Sequence, residues 1–328
     1  MSSLAPLYPR DPVFAALDLG TNNCRMLVAR PALVGFRVID AFSRVTRLGE
    51  GLAASGRLSD AAMDRTILAL KACAEKMGRN RVTHARLVAT EACRRADNCA
   101  EFGERVFAET GLDLDIISPE EEAALALAGC ASLMRPGLPW ALVFDIGGGS
   151  TEVAWVDLSS GRHDVKGIQS LPLGVVTLTE HLGERLFSAD GYDQAVEAIA
   201  ARLAPFDQRH GIGQHLVDGL VQMMGTSGTV TTLGALHLRL DRYDRTLVDG
   251  LDLGFADIAA VTRWLHDLTP SQRAGHPCIG PERADLVIAG CAILEAVCRT
   301  WPLNTLRVAD RGVREGVLLG LMREEQEA

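Results

Sequence analysis

The chain has 328 residues, enough for two domains with cores of their own, and its 48% hydrophobic and 23% charged residues are an ordinary globular mix. A net charge of −9 excludes the basic face of a general nucleic-acid binder, so a polyanionic ligand would need a local basic site and a metal. No apolar run reaches the length of a membrane span, and residues 1–12 lack the features of a signal peptide; they read as a short extended tail, and the cytoplasm is the expected compartment.

The apolar, β-rich runs Val13–Leu19, Arg25–Ala29 and Phe36–Phe42, separated by short turns, predict an antiparallel meander. Met63, Ile67, Leu70, Ala74 and Met77 carry helical spacing, which predicts a helix over Ser59–Met77 with Ser59 as its N-cap. A strand (Ala85–Ala89), a helix (Cys99–Thr110), a strand (Leu112–Ile117) and a helix from Pro119 follow. At Trp140 the pattern restarts with strands at Ala141–Ile146 and Glu152–Val156 and a third before Leu171. Helices are then predicted over Tyr192–Leu203, Val230–Arg239, Phe255–Leu268 and Pro281–Arg299, and a strand (Thr305–Ala309) and a helix (Val313–Glu324) close the chain. The eight cysteines form no C-x-x-C pair and the eight histidines are scattered, so reduced, buried thiols are expected and a zinc site is not.

A strand–turn–strand unit occurs twice, DLGTNNCRMLV at residues 18–28 and DIGGGSTEVAWV at 145–156. In the first, Asp18 ends a strand and Gly20, Thr21, Asn22 and Asn23 follow; in the second, Asp145 is followed by Gly147, Gly148, Gly149, Ser150 and Thr151. Glycines let backbone N–H groups close on a phosphate, and hydroxyls and amides add donors. One such turn is no more than a common hairpin; two, each opened by a strand-terminal aspartate, point to a phosphate ligand held between two similar halves. A carboxylate at a strand end can hold Mg²⁺ through water, so Asp18 and Asp145, with Glu152 close by, are the candidate metal site, for Mg²⁺ or Mn²⁺.

Ser118, Pro119 and Glu121 read as an N-cap, a first helical residue and the completion of a capping box. Capping leaves Glu122 unexplained. It shares a helix face with Leu125 and Ala126, where a carboxylate is costly without a role and where burial raises its pKa toward that of a useful base. Glu122 is therefore a candidate general base. Arg94, just beyond the strand at 85–89, has the fork geometry for a phosphate. Gly225, Ser227, Gly228 and Thr229 suggest a third anion-binding turn at a helix N-terminus, with an ordinary capped helix as the rival reading.

The two aspartate-led turns resemble the paired phosphate loops of the actin-like ATPases. Within that superfamily the chain resembles the exopolyphosphatase/guanosine pentaphosphate phosphohydrolase (Ppx/GppA) family in its short form. The resemblance rests on AALDLGTNNCRMLVA (15–29), RLGEGL (47–52), ATEACRRADN (89–98), IISPEEEA (116–123), FDIGGGSTEV (144–153), SLPLGVVTLTE (170–180), GTSGT (225–229) and VADRGVREGVL (308–318). It departs at Thr21 and Asn23, where the family usually has serine, and at Thr177, where many relatives have arginine. The family's catalytic glutamate and arginine match Glu122 and Arg94, which implies that Glu122 orients or deprotonates an attacking water.

The resemblance implies an α/β fold of the duplicated, ribonuclease H-like actin type, with two domains around a cleft, each built on a mixed five-stranded sheet. Domain I is expected over residues 1–124 plus 311–328 and domain II over 125–310, with a homodimer and hinge closure. It implies release of terminal orthophosphate from inorganic polyphosphate, or conversion of guanosine pentaphosphate to tetraphosphate. A kinase of the same fold and a non-catalytic alarmone sensor are the remaining readings. Longer relatives add a helical C-terminal domain, whose lack removes one surface for a long polyphosphate.

Overall fold

The computed structural model describes residues 12–327. All but the last residue of the expected N-terminal tail lies outside that range. The first sheet comprises β1 (Phe14–Leu19), β2 (Asn23–Pro31), β3 (Phe36–Val45), β4 (His84–Ala89) and β5 (Asp115–Ile116), in the order β3-β2-β1-β4-β5. The second comprises β6 (Trp140–Ile146), β7 (Thr151–Asp157), β8 (Asp164–Leu171), β9 (Val221–Thr226), β10 (Asp252–Gly254) and β11 (Thr305–Ala309), in the order β10-β11-β9-β6-β7-β8. Each sheet is an antiparallel meander whose first strand also pairs in parallel with a later strand, β1 with β4 and β6 with β9. This repeated design is the duplicated actin-like fold.

The second sheet has six strands rather than the expected five. The extra one, β10, is three residues long and pairs antiparallel with β11 at the edge, too short to show a period of two. Other boundaries shift as well. β5 keeps only two residues of the run Leu112–Ile117. The helix expected at Tyr192–Leu203 spans Ala189–His210, because the Ser188 hydroxyl caps it and Gly211, at φ 61°, ends it. The helix expected from Pro281 begins only at Val287.

The central strands are apolar on both faces because each face is covered. Ala15, Leu17 and Leu19 of β1 pack with Met63, Ile67 and Leu70 of the helix Asp60–Asn80. Phe14 and Ala16 pack on the other side against Val317 and Leu318 of the helix Val313–Glu327. Burial of each large side chain contributes about 1.5–3 kcal/mol. In the second half, Leu142, Phe144 and Ile146 of β6 join the largest core, with Leu233, Ile288 and Leu294.

The helix Pro119–Cys130 is shared between the halves, Ala126 joining the core under β1 and Leu127 and Cys130 that under β6. It crosses Val313–Glu327 at two glycines. A Cβ on Gly129 would lie 2.1 Å from the Gly312 carbonyl oxygen, and one on Gly316 would lie 2.0 Å from that of Leu125. All eight cysteines are free thiols. Among the described residues no helix is long and apolar enough to cross a membrane.

Candidate active site

The two aspartate turns meet face to face. In the first, Gly20 N–H donates to Asn23 O at 2.9 Å; in the second, Gly147 N–H donates to Ser150 O at 2.9 Å. Each turn thus closes its hairpin and leaves its middle residues for a ligand. The tips touch: a Cβ on Gly149 would lie 2.5 Å from Thr21 Oγ1. Between them lies a cavity of about 150 Å³ lined by Asp18, Gly20, Thr21, Asn22, Asn23, Glu122, Asp145, Gly147, Gly148, Gly149, Ser150, Ser227, Gly228 and Thr229. Thr21 Oγ1 and Asn22 Oδ1 are buried there without a hydrogen-bond partner among the described residues; the hydroxyl can donate to an oxyanion or a water, and the amide oxygen can accept from a water.

Three expected phosphate ligands are turned away. Gly225 lies inside β9 and packs under a ring, since a Cβ there would lie 2.4 Å from Phe144 Cζ. Thr151 is fully buried and its hydroxyl donates to Leu173 O at 2.7 Å. Arg94 has its fork occupied: Nη1 donates to Glu122 Oε2 at 2.8 Å and to Ile117 O at 2.9 Å, and Nη2 donates to Glu91 Oε2 at 3.0 Å. It holds carboxylates in place instead of presenting a fork to the cavity. At the third turn the capping reading holds, with the Ser227 hydroxyl accepting from Val230 N–H, yet Ser227, Gly228 and Thr229 also line the cavity.

Glu122 is buried as expected, at 9% exposure. Its Oε2 is taken by Arg94, which leaves Oε1 for a water. Burial pushes its carboxyl well above the usual range, the charge of Glu152 adds to this, and Arg94 opposes it. The expected capping box is only half made: the Ser118 hydroxyl accepts from Glu121 N–H, while the Glu121 carboxylate pairs with Arg86.

Asp18 and Asp145 lie on the floor of the cavity. Burial raises the pKa of Asp18 against the charges of Arg314 and Arg25. Asp145 is pushed up to about 7 by burial, then by the charges of Glu152 and Asp18. Glu152 stands behind the cavity wall, buried and accepting a hydrogen bond from Ser170 Oγ at 2.8 Å. Among the described residues no three acidic, histidine or cysteine side chains form a ready-made cage for an ion. The donor set suits a hydrated dication held through water by Asp18 and Asp145, whose mutual repulsion it would relieve.

Arg25 and Arg283 line this cavity and were not foreseen. Burial and the charges of Arg314 and Arg283 lower the pKa of Arg25, the mark of a cation crowded by cations. Among the described residues, Arg283 Nη1 donates only to the Thr232 hydroxyl, at 3.4 Å. Both also line an adjoining chamber of about 610 Å³, together with Arg245, Arg311, Arg314 and Tyr243. Arg245 pairs with Glu315 and Arg311 with Asp249.

A model of the Ppx/GppA phosphatase family matches residues 27–325. The chain belongs to that family. It is 30% identical over 325 residues to exopolyphosphatase 2 of Mycobacterium tuberculosis, covering 94% of this chain and 98% of that protein. It is 32% identical over 313 residues to the guanosine-5'-triphosphate,3'-diphosphate pyrophosphatase of Aeromonas salmonicida, covering 95% of this chain and spanning only 60% of that protein. The crystal structure of the Aquifex aeolicus member of the Ppx/GppA family matches with a TM-score of 0.79 and 28% identity, covering 97% of this chain and 100% of that one.

Proposed function

We propose that the chain is an exopolyphosphatase, releasing terminal orthophosphate from inorganic polyphosphate by attack of water. One observation carries the reading: two phosphate turns, a buried glutamate and two arginines that form no ion pair among the described residues share one small cavity, and both arginines also line an adjoining chamber with three more.

The terminal phosphate fits between the turns, where backbone N–H groups and the unpartnered Thr21 hydroxyl donate to its oxygens and the Asn22 Oδ1 accepts from water. Arg25 and Arg283 neutralise the charge of the phosphates on either side of the scissile bond. Glu122 Oε1 holds the attacking water and takes its proton, with Arg94 fixing the carboxylate through Oε2. The shortened chain remains in the larger chamber, along Arg314. Mg²⁺, bound through water at Asp18 and Asp145, would supply further charge neutralisation on the phosphate oxygens.

One feature favours guanosine pentaphosphate as a second reading. Tyr243 is the aromatic residue lining the larger chamber, its hydroxyl tied to Asp310 at 2.8 Å, and a guanine could lie on its ring. A single tethered ring is a poor platform for a base, and polyphosphate needs none, so polyphosphate is the preferred substrate. The test is phosphate release measured side by side on long polyphosphate, short polyphosphate and guanosine pentaphosphate. A specificity constant far higher for guanosine pentaphosphate than for any polyphosphate length would overturn the ranking.

A further inference from the structure

The segment Thr46–Gly51, which contains most of the RLGEGL motif, lines neither cavity. It runs behind the first phosphate turn and is bonded to its backbone. Thr46 and Arg47 N–H both donate to Asn22 O, at 2.9 and 3.0 Å, and Gly49 N–H donates to Thr21 O at 2.9 Å. Arg65, from the helix Asp60–Asn80, anchors the segment to the first half. Its Nε donates to Thr46 O at 3.0 Å and its Nη2 pairs with Glu50 at 2.7 Å. Arg47 holds a left-handed φ of 49°, unusual for a residue with a side chain and sustained by these bonds.

From this anchored position the segment reaches the second half twice. Arg47 Nη2 meets Asp285 Oδ2 at 3.2 Å, and Asp285 lies two residues from Arg283 in the same loop. Gly51 N–H donates to Glu180 Oε1 at 2.9 Å. Glu180 belongs to the helix Val175–Leu182, whose first amides hold the other phosphate turn: Val175 N–H donates to Gly147 O at 3.0 Å and Val176 N–H to Gly148 O at 2.8 Å. The backs of both turns and the loop bearing Arg283 are thus joined through one segment.

We propose that Thr46–Gly51 is a strap that holds the two halves closed and, in doing so, sets both phosphate turns and Arg283 around the ligand, with Arg47 as a positioning residue. The kinetic part rests on the reading of the site as a polyphosphate hydrolase; the structural part does not. The Arg47 and Asp285 side chains are 39% and 46% exposed, so each contact is modest and acts by shifting the closed fraction. A smaller closed fraction raises the apparent binding constant by the same factor and leaves turnover at saturation unchanged.

The test is a double-mutant cycle of Arg47→Gln and Asp285→Asn, with Glu180→Ala and Glu180→Gln alongside. Each member of the cycle should raise KM for polyphosphate by about two- to fivefold at constant kcat, and the double variant should be no worse than the worse single, because both break one contact. Without any substrate, amide hydrogen exchange should quicken at residues 20–23 and also at 147–150 in Arg47→Gln and in Glu180→Ala. Glu180→Gln keeps an acceptor and should exchange like the unaltered protein. Additive effects on KM would mean that the two charges act separately, and would overturn the strap. So would exchange that quickens in the first turn alone, or in neither. The exchange arm stands even if the protein proves to hydrolyse something other than polyphosphate.

Discussion

Asp145 stands directly opposite Glu152 across the β6–β7 hairpin, at the same place where Asp18 stands opposite Arg25 across β1–β2. The duplicated hairpin therefore sets a carboxylate beside a cation in one half and beside a second carboxylate in the other. The like-charged pair is the more costly: burial first, and then the charge of Glu152, push Asp145 up to about 7 from 3.8.

A pH dependence follows for the metal-free protein. Between those two values the folded state binds a proton on Asp145 that the unfolded state has lost, so this group's contribution to stability falls as pH rises. With EDTA present, denaturant unfolding should show lower stability at pH 8 than at pH 5, and Asp145→Asn should flatten that slope. Mg²⁺ at pH 8 should restore stability to the unaltered protein more than to the variant. Identical slopes for the two proteins would contradict the assignment.

Glu122→Gln should abolish phosphate release while leaving a folded protein that still binds polyphosphate, because the amide keeps the shape but cannot take a proton. Its stability above neutral pH should equal or exceed that of the unaltered protein, since a buried anion has been removed. Glu121→Gln loses only a half-exposed ion pair with Arg86 and should cost less than about 1 kcal/mol and little activity. Near-normal turnover by the Glu122 variant would rule out its role as base.

The arginines should separate by kind. Arg94→Ala strands Glu91 and Glu122, both nearly buried, without their shared cation, which typically costs about 3–5 kcal/mol for a buried pair. Its signature is a lower melting temperature and lower kcat. Arg25→Ala or Arg283→Ala should instead raise KM for polyphosphate, on the order of tenfold for a charge-assisted contact, and reduce the salt dependence of binding. If Arg94→Ala changed only KM, its fork would have to reach the substrate.

Gly129→Ala and Gly316→Ala each place a methyl against backbone carbonyl oxygens where the two helices cross. Overpacking there should destabilise by about 1–3 kcal/mol, read as a lower midpoint in denaturant. Gly320→Ala on the same helix meets nothing within 4 Å and serves as the control.

Much of this site was legible because its chemistry is local. A strand-terminal aspartate followed by small residues marks each turn that lines the cavity, and the burial of Glu122 follows from its place on an apolar helix face that capping does not explain. The arginines were harder. Applying to Asp18 the offset of seven residues that relates Asp145 to Glu152 leads to Arg25, and that step needs only the duplication. Arg283 was hidden because Ala284, Leu286 and Val287 continue the spacing of the following helix, although the helix starts only at Val287. The carboxylate partners of Arg94 were not legible, because a fork suited to phosphate equally suits two carboxylates, and only the tertiary structure places Glu91 and Glu122 beside it. Gly225 was assigned to a turn because a short motif does not show that its strand runs on to Thr226.

The glycine crossing gives the acids of the cleft a mechanical meaning. Asp18 stands on β1, Asp145 and Glu152 on hairpin β6–β7, and Glu122 on the shared helix that forms the crossing. Swinging the halves apart about that pin would separate like charges, and bringing them together would compress them. Because burial and nearby negative charge raise the pKa values of Asp18, Glu122 and Asp145, either a proton or a cation among the acids would ease the shut position. A polyphosphate brings negative charge of its own, so it would favour the shut position only together with the cation or the arginines that offset it.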